Sequence, residues 1–188
     1  MRQLPGELQN QPFTLRQASM LGLTFYDIGK LLADGTLEKV SRGVYQVSGT
    51  ASNEEADFCI AALRVGTPSA VCLISALSFH HLTDTIPKKT WIMVPFSKRS
   101  ADRSLRVFRA RNPSWKVGID KRAGYSITNI ERTVVECLAL RSRIGATIAI
   151  EALRRAIDSK KTNLGKVADM AKKLKLLHRI LPYIEALS

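Results

Sequence analysis

The fold of this chain is decided by residues 13–47, FTLRQASMLGLTFYDIGKLLADGTLEKVSRGVYQV. Thr14 and Gln17 have the spacing of a capping box, in which each residue satisfies a free amide of the other. This pair predicts a first helix over residues 15–21. Gly22 follows directly and suits a left-handed helix cap, because it has no Cβ. The helix is therefore expected to end there in a tight turn.

A second helix is predicted to follow that turn. Thr24 and Asp27 repeat the capping pattern in weaker form, and the helix should run to about Asp34, before Gly35. Its side chains divide between two faces at helical spacing. The apolar face carries Ile28, Leu31 and Leu32, and the opposite face carries Tyr26, Asp27, Lys30 and Ala33.

A β-hairpin is predicted next, from the β-rich runs 37–40 and 44–47. They are separated by Ser-Arg-Gly, in which Gly43 can adopt positive φ. Two helices followed at once by a hairpin form the order of a winged helix-turn-helix, which lays its second helix in a DNA groove. The alternative interpretation is a small helical hairpin used only for packing.

Length and composition set the limits of the fold. The chain has 188 residues, 45% of them apolar, which is enough for one large domain or two small ones with a real core. It shows no apolar run long enough to cross a bilayer and no signal-peptide core at its start, which predicts a cytoplasmic protein without membrane contact. Cys59, Cys72 and Cys137 lie in apolar surroundings without metal-type spacing, which predicts buried free thiols.

The loop at 48–53 is the predicted domain boundary. We expect an α+β protein in two domains: a winged helix-turn-helix DNA-binding domain at 1–50, and at 51–188 a mixed domain with a small β-sheet and a helical C-terminal tail. Strands are expected near 70–74 (alternatively a helix start), 90–94, 105–110, 116–119 and 125–128. Helices are expected at 54–65, 75–82, 130–140 (opened by a Thr128–Glu131 capping box), and from 145 onward with breaks near 160–163 and 175.

The net charge of +13 is unevenly distributed. Residues 1–50 carry five Lys and Arg against four acidic residues, whereas residues 96–125 carry nine against two and residues 126–188 twelve against six. The excess charge thus lies outside the predicted winged helix, although phosphate neutralisation supplies most non-specific DNA affinity. Either the second domain also contacts nucleic acid, or its charge faces an acidic protein partner.

Three stretches resemble the AbiEi antitoxin family: residues 13–47, SALSFHHLTDTIPKKTWIMVP (75–95) and YSITNIERTVVECLALRSRIGATIAIEALRRAI (125–157). The resemblance covers nearly the whole chain, to residues 181–187. Its most specific pieces are Arg42-Gly43-Val44-Tyr45 and Ile130-Glu131-Arg132-Thr133. The chain departs from the family pattern at its start, where the leading helix is compressed into residues 4–9 with Pro5 and Gly6 inside it.

The resemblance implies a bacterial transcriptional regulator of a type IV toxin–antitoxin system, linked to abortive phage infection. The N-terminal domain would bind operator DNA at inverted repeats and repress the operon. The C-terminal domain would counteract a nucleotidyltransferase-like toxin, directly or indirectly, and would aid self-association on DNA.

Candidate DNA-binding residues follow from position on the winged helix: Thr14, Arg16, Thr24, Tyr26, Lys30 and Arg42. Arg42 at the wing tip is the strongest, because a guanidinium suits phosphate or a narrow minor groove. Tyr26 could instead cap the domain's own core, and Arg42 could be a solvated turn residue. Gly43 and Tyr45 are expected to form the wing and anchor it.

A second candidate surface for DNA, RNA or an acidic toxin is basic: Lys98, Arg99, Arg103, Arg106, Arg109, Arg111, Lys116, Lys121 and Arg122. Arg109 and Arg111 should share a sheet face opposite to Arg106. The alternative is a merely solvated charged face. Trp115 could stack on a base but is more typical of a core residue, and Arg132 is expected to pair with Glu136 at i,i+4.

No catalytic constellation can be assembled from the sequence. His80 and His81 are adjacent and would diverge on a helix, the aspartates are scattered, and no phosphate loop is present. We expect no enzyme activity, no cofactor and no metal. Two alternatives stay open: a metal-dependent nuclease fused to a winged helix, and an antitoxin that acts only by protein interaction.

Overall fold

The computed structural model describes residues 4–51, 53–100, 102–111 and 115–186. The chain divides into two compact units. The first unit comprises residues 1–67 and 123–125, and the second comprises residues 68–122 and 126–188. The functional division after residue 50 stays a prediction. Ser52 of the predicted boundary loop, and residue 187 at the end of the family resemblance, lie outside the described residues.

The first unit has the predicted order of helices and hairpin. A 3₁₀ turn at Gly6–Leu8 precedes β1 (Phe13–Thr14), α1 (Leu15–Met20), α2 (Phe25–Ala33), β2 (Leu37–Ser41) and β3 (Val44–Val47). Both capping boxes are formed, at Thr14 and at Thr24. The turn after α1 and the hairpin both use glycine in the left-handed region, with φ of 85° at Gly22 and 72° at Gly43.

The sheet of this unit contains a strand that the sequence did not reveal. β1 pairs with β3, which pairs with β2, all antiparallel, so the order is β1-β3-β2. Two residues are too few to show the alternation that predicts a strand. The resulting arrangement, with helices α1 and α2 inserted before the hairpin, is that of a winged helix.

The first unit has an apolar core although its leading segment forms only a short 3₁₀ turn. Leu8 of the 3₁₀ turn is buried with Phe13, Ile28 and Tyr45 in one apolar cluster. A further helix, α3 (Glu54–Val65), packs against β1 and β3. The winged helix therefore has a closed core although its leading helix is a single turn.

The second unit surrounds a five-stranded sheet of order β6-β5-β4-β8-β7. Its strands are β4 (Ala70–Val71), β5 (Trp91–Pro95), β6 (Arg106–Ala110), β7 (Ile119–Lys121) and β8 (Ser126–Thr128). Its helices are α4 (Leu73–Phe79), α5 (Ile130–Ala139), α6 (Arg141–Ile144), α7 (Ala146–Asp158), α8 (Leu164–Lys173) and α9 (Leu177–Glu185). This confirms the α+β class with a helical C-terminal region.

Two local predictions were wrong. The strand expected at 116–119 is a turn at 115–118, followed by β7, because Gly118 adopts a φ of 68° that an ordinary strand does not allow. Helix α5 is capped by Asn129, whose side chain accepts from the Arg132 amide at 3.0 Å, rather than by Thr128. The Thr128 hydroxyl is buried and lies 2.7 Å from that of Thr133.

Helix α5 is the centre of the second unit. Residues 132–139 are buried without interruption, and the helix contacts α4, α7, α8 and α9. The three cysteines are free and buried, as predicted. Among the helices of the described ranges, none has both the length and the apolar composition required to cross a membrane.

Candidate nucleic-acid interface

The outward face of α2 carries the predicted aromatic and basic residues. Tyr26 is 69% exposed, so it does not cap the core of its own unit. The Lys30 ammonium lies 4.8 Å from the centre of the Tyr26 ring, one helical turn away. This cation–π contact holds both side chains on the solvent side of α2, where a DNA groove would be met.

Thr14 and Thr24, the two threonines among the predicted DNA-binding residues, cap the starts of α1 and α2. The Thr24 hydroxyl accepts from the Asp27 amide at 3.1 Å and donates to its carboxylate at 2.7 Å. The Thr14 hydroxyl similarly accepts from the Gln17 amide at 3.3 Å. These hydroxyls fix where the helices begin, and their contact with DNA stays a proposal.

Arg42 lies in the turn between β2 and β3 and is exposed. Tyr45, three residues further on, is buried, with its ring centre 6.2 Å from that of Phe13. As expected, Tyr45 anchors the hairpin on the core while Gly43 allows its turn. The wing thus projects a guanidinium from a fixed base. Arg16 is exposed on the first turn of α1.

Three apolar side chains beside these residues were missed by sequence reasoning. Phe25 is 73% exposed at the start of α2, and Met20 and Leu21 are exposed at the end of α1. The sequence carries no clear signal for Phe25, because it stands three residues before Ile28 and helical spacing alone places it on the buried face of α2. Apolar side chains at such positions can contact thymine methyl groups or sugars.

The second predicted surface is divided by the sheet. Arg106, Arg109 and Arg111 lie on or just after β6, whereas Lys121 and Arg122 lie at β7, and these strands are opposite edges. Neighbouring strands are about 4.8 Å apart, so the two edges are about 19 Å apart. Lys98, Arg99 and Arg103 lie in the connection from β5 to β6, and Lys116 in the loop before β7. The set is therefore two separate basic regions rather than one face.

The β6 edge gathers arginines that the sequence could not bring together. The guanidinium carbons of Arg109 and Arg111 lie 5.6 and 5.2 Å from the centre of the Phe96 ring, while that of Arg106 lies 5.4 Å from Trp91. Arg143 of α6 and Arg179 of α9 border the same pocket as Arg109 and Arg111. No local pattern connects residues so distant in sequence, so only the packing of α6 and α9 reveals this grouping.

The predicted pair Arg132–Glu136 is confirmed. Arg132 is fully buried, and its Nε and Nη2 donate to Glu136 Oε1 at 3.0 and 2.9 Å. Its Nη1 donates to the carbonyls of Trp115 and Val117, which fixes the loop before β7. Trp115 is partly buried and packs against the core, which agrees with the prediction of a core residue. Arg132 is therefore a structural residue of this unit.

The histidines do not form a metal site. His80 Nε2 lies 2.8 Å from the Thr128 carbonyl, and burial lowers the pKa of His80. His81, the next residue, has a backbone φ of 56°. Within the described part of the chain, no three His, Cys, Asp or Glu side chains are grouped so that they could hold a metal ion.

The fold defines a class of protein: an α+β protein with an N-terminal winged helix whose second helix and wing are exposed. Residues 6–48 match a family described as transcriptional regulator, AbiEi antitoxin, which confirms the resemblance over the winged helix. The chain is also similar to the crystal structure of the RV2827C protein from Mycobacterium tuberculosis. The TM-score is 0.58 at 14% identity, over 100% of this chain and 82% of that one. At this identity the likeness shows the fold. No curated protein matches the chain.

Proposed function

We propose that this protein is the antitoxin and transcriptional autorepressor of a bacterial type IV toxin–antitoxin operon of the abortive-infection kind. The winged helix binds inverted repeats in operator DNA, and residues 51–188 counteract a nucleotidyltransferase-like toxin. The supporting family match extends over residues 6–48, the part that carries α1, α2 and the wing. The protein acts by binding in the cytoplasm and performs no chemistry.

The proposed DNA binding rests on one observation: α2 and the wing each expose a cationic side chain to solvent. Lys30 lies against Tyr26 on α2, and Arg42 lies at the hairpin turn. In a winged helix, the second helix of the motif enters the major groove and the wing reaches the adjacent backbone or minor groove. Backbone amides at the start of α2 add anion affinity without formal charge.

Removal of the wing guanidinium tests this assignment. Arg42→Ala should weaken binding to the duplex upstream of the protein's own gene by about 1–3 kcal/mol, because one charge-assisted contact is lost. Fluorescence anisotropy at several salt concentrations measures the affinity, and the salt slope should fall by about one. Arg64→Ala on α3 removes the same charge from outside the matched segment and should have little effect. Unchanged affinity of Arg42→Ala at physiological salt would reject the assignment.

The antitoxin half requires a separate measurement. The gene adjacent to this one should encode a nucleotidyltransferase-like protein that arrests growth when expressed alone. Co-expression of the full chain should restore growth, and Arg42→Ala should restore it equally well, because that variant retains residues 51–188. Failure of the full chain to rescue growth would reject the antitoxin assignment.

The second candidate function is an antitoxin that acts only by protein interaction. It is favoured by the net charge of the first fifty residues, which is only +1. Such a protein would show no salt-sensitive binding to its promoter and would form a stable complex with its toxin. The anisotropy and growth measurements together distinguish the two functions.

A further inference from the structure

A pocket of about 560 Å³ lies in the second unit between β6 and the helices α5, α6 and α9. We name it the arginine pocket, because Arg109, Arg111, Arg143 and Arg179 all line it. Its volume lies within the range of about 300–1,000 Å³ that is typical of small-molecule sites. Neither the winged helix nor the family match includes any of these residues.

The positive charge of the arginine pocket is not neutralised by acidic neighbours. Among the described residues, no Asp or Glu oxygen lies within 4.0 Å of any of its four guanidinium groups. A sphere of the pocket's volume is about 10 Å across, close to one Debye length at 0.1 M salt. The four charges therefore repel one another, and a bound anion would relieve that repulsion.

Two of the guanidinium groups are positioned before any ligand arrives. Arg109 and Arg111 both lie over the ring of Phe96, at 5.6 and 5.2 Å from its centre. This shared stacking restricts both side chains, so less conformational entropy is lost when they bind an anion. A planar guanidinium with several fixed donors matches the geometry of a phosphate group.

Glu136 is an acidic residue that borders the same pocket. The residue lines the pocket but is only 6% exposed. Its Oε1 accepts both bonds from Arg132, while its buried Oε2 has no hydrogen-bond partner in the described part of the chain. Burial raises the pKa of the Glu136 carboxyl, and the Arg132 guanidinium opposes that effect. Because Oε2 has less than 1 Å² of accessible surface, a ligand in the pocket does not reach it, and the Arg132–Glu136 ion pair adds no net charge to the pocket.

The remaining wall is apolar. Phe108, Ala139, Leu140 and Leu176 line it, each partly or fully buried. The arrangement combines a cationic rim with an apolar wall. A free inorganic anion would use the rim alone, whereas a phosphorylated organic molecule would use both.

We propose that the arginine pocket binds a phosphorylated small molecule of nucleotide-like chemistry. The four guanidinium groups hold its phosphates, and its body packs on the apolar wall. This binding is independent of operator recognition by the winged helix.

Titration calorimetry on the full chain at constant ionic strength tests the proposal, with pyrophosphate and ATP as probes. Both should bind saturably at one site per chain, and ATP should bind more tightly because its body gains the apolar wall. Equal affinities would overturn the role of the apolar wall. The absence of saturable binding at millimolar concentration would overturn the whole proposal.

The double variant Arg143→Gln/Arg179→Gln identifies the site. Both side chains are exposed on helix surfaces, so the fold should be retained, as thermal unfolding without ligand can verify. Affinity should fall at least about tenfold, because two of the four charged groups that hold the phosphates are lost. Arg154→Gln/Lys166→Gln removes the same charge from exposed positions of α7 and α8 and should leave the affinity unchanged.

Two outcomes with these variants would contradict the proposal. An equal loss in both double variants would mean that binding reflects net charge rather than the pocket. Binding of duplex DNA, but of neither probe, with loss in Arg143→Gln/Arg179→Gln, would mean that the pocket belongs to a nucleic-acid surface.

Discussion

At the scale of single residues, Arg132 connects several elements of the second unit. Its guanidinium is fully buried and donates to a carboxylate, to two backbone carbonyls and, at 3.3 Å, to Met93 Sδ. A buried charge is tolerated only when it is paired and its donors are satisfied, and this residue meets both conditions. The Ile-Glu-Arg-Thr motif at 130–133 thus couples α5 to the loop that precedes β7.

Replacement of this arginine should destabilise the fold. Arg132→Met should lower the free energy of unfolding by about 3–5 kcal/mol, because Glu136 would become a buried charge without a partner and two carbonyls would lose their donor. Urea denaturation followed by circular dichroism measures the change. Arg154→Met, on the exposed face of α7, is the matched control and should stay within about 0.5 kcal/mol. A similarly small effect at Arg132 would contradict its structural role.

At the scale of elements, α2 depends on its cap for both stability and position. Reciprocal bonds join the Thr24 hydroxyl to the Asp27 amide and the Asp27 carboxylate to the Thr24 amide, at 3.1 and 2.8 Å. They satisfy two of the amides that every helix leaves free at its start. The cap therefore sets the residue at which α2 begins, and with it the direction in which Tyr26 and Lys30 point.

Loss of the cap should weaken the winged helix. Thr24→Ala should reduce stability by about 0.5–2 kcal/mol, because the Asp27 amide loses its acceptor. Urea denaturation, monitored by circular dichroism, provides the measurement. Thr147→Ala, at an exposed position in the first turn of α7, removes the same atoms without a cap and should be nearly neutral. Equal effects of the two substitutions would argue against the capping role.

At the scale of the whole molecule, most of the net positive charge lies outside the residues of the winged helix. The segments 96–125 and 126–188 carry net charges of +7 and +6, against +1 for the first fifty residues. At the β6 edge this charge includes arginines from α6 and α9, whereas the β7 edge carries Lys121 and Arg122. The potential is thus expected to be strongest at the β6 edge, where an anionic partner would be steered.

Charge reversal at the two edges should have unequal effects. Arg106→Glu/Arg109→Glu should reduce either assembly on operator DNA or toxin neutralisation, while the fold is retained. Anisotropy with operator DNA and the growth assay provide the two readouts. Lys121→Glu/Arg122→Glu makes the same change of charge at the opposite edge and should have the smaller effect. If both functions survive reversal at the β6 edge, that edge is a solvated surface.

The amino-acid sequence by itself determined the winged helix, the α+β class and the burial of the cysteines. The winged helix and the Arg132–Glu136 pair could be predicted because they depend on interactions among residues close in sequence: caps at i,i+3, a glycine turn, one apolar helix face and an i,i+4 ion pair. Such interactions span a single turn, so their spacing can be read directly.

Three further features depend on tertiary structure alone: the strand β1, the division of the basic segment and the arginine pocket. The strand β1 exists because β3 pairs with it, and the basic segment is divided because β6 and β7 form opposite edges of one sheet. The arginine pocket likewise joins β6 to α6 and α9. The physical reason is that strand order and helix packing are set by burial over long sequence separations, which leave no periodic pattern along the chain.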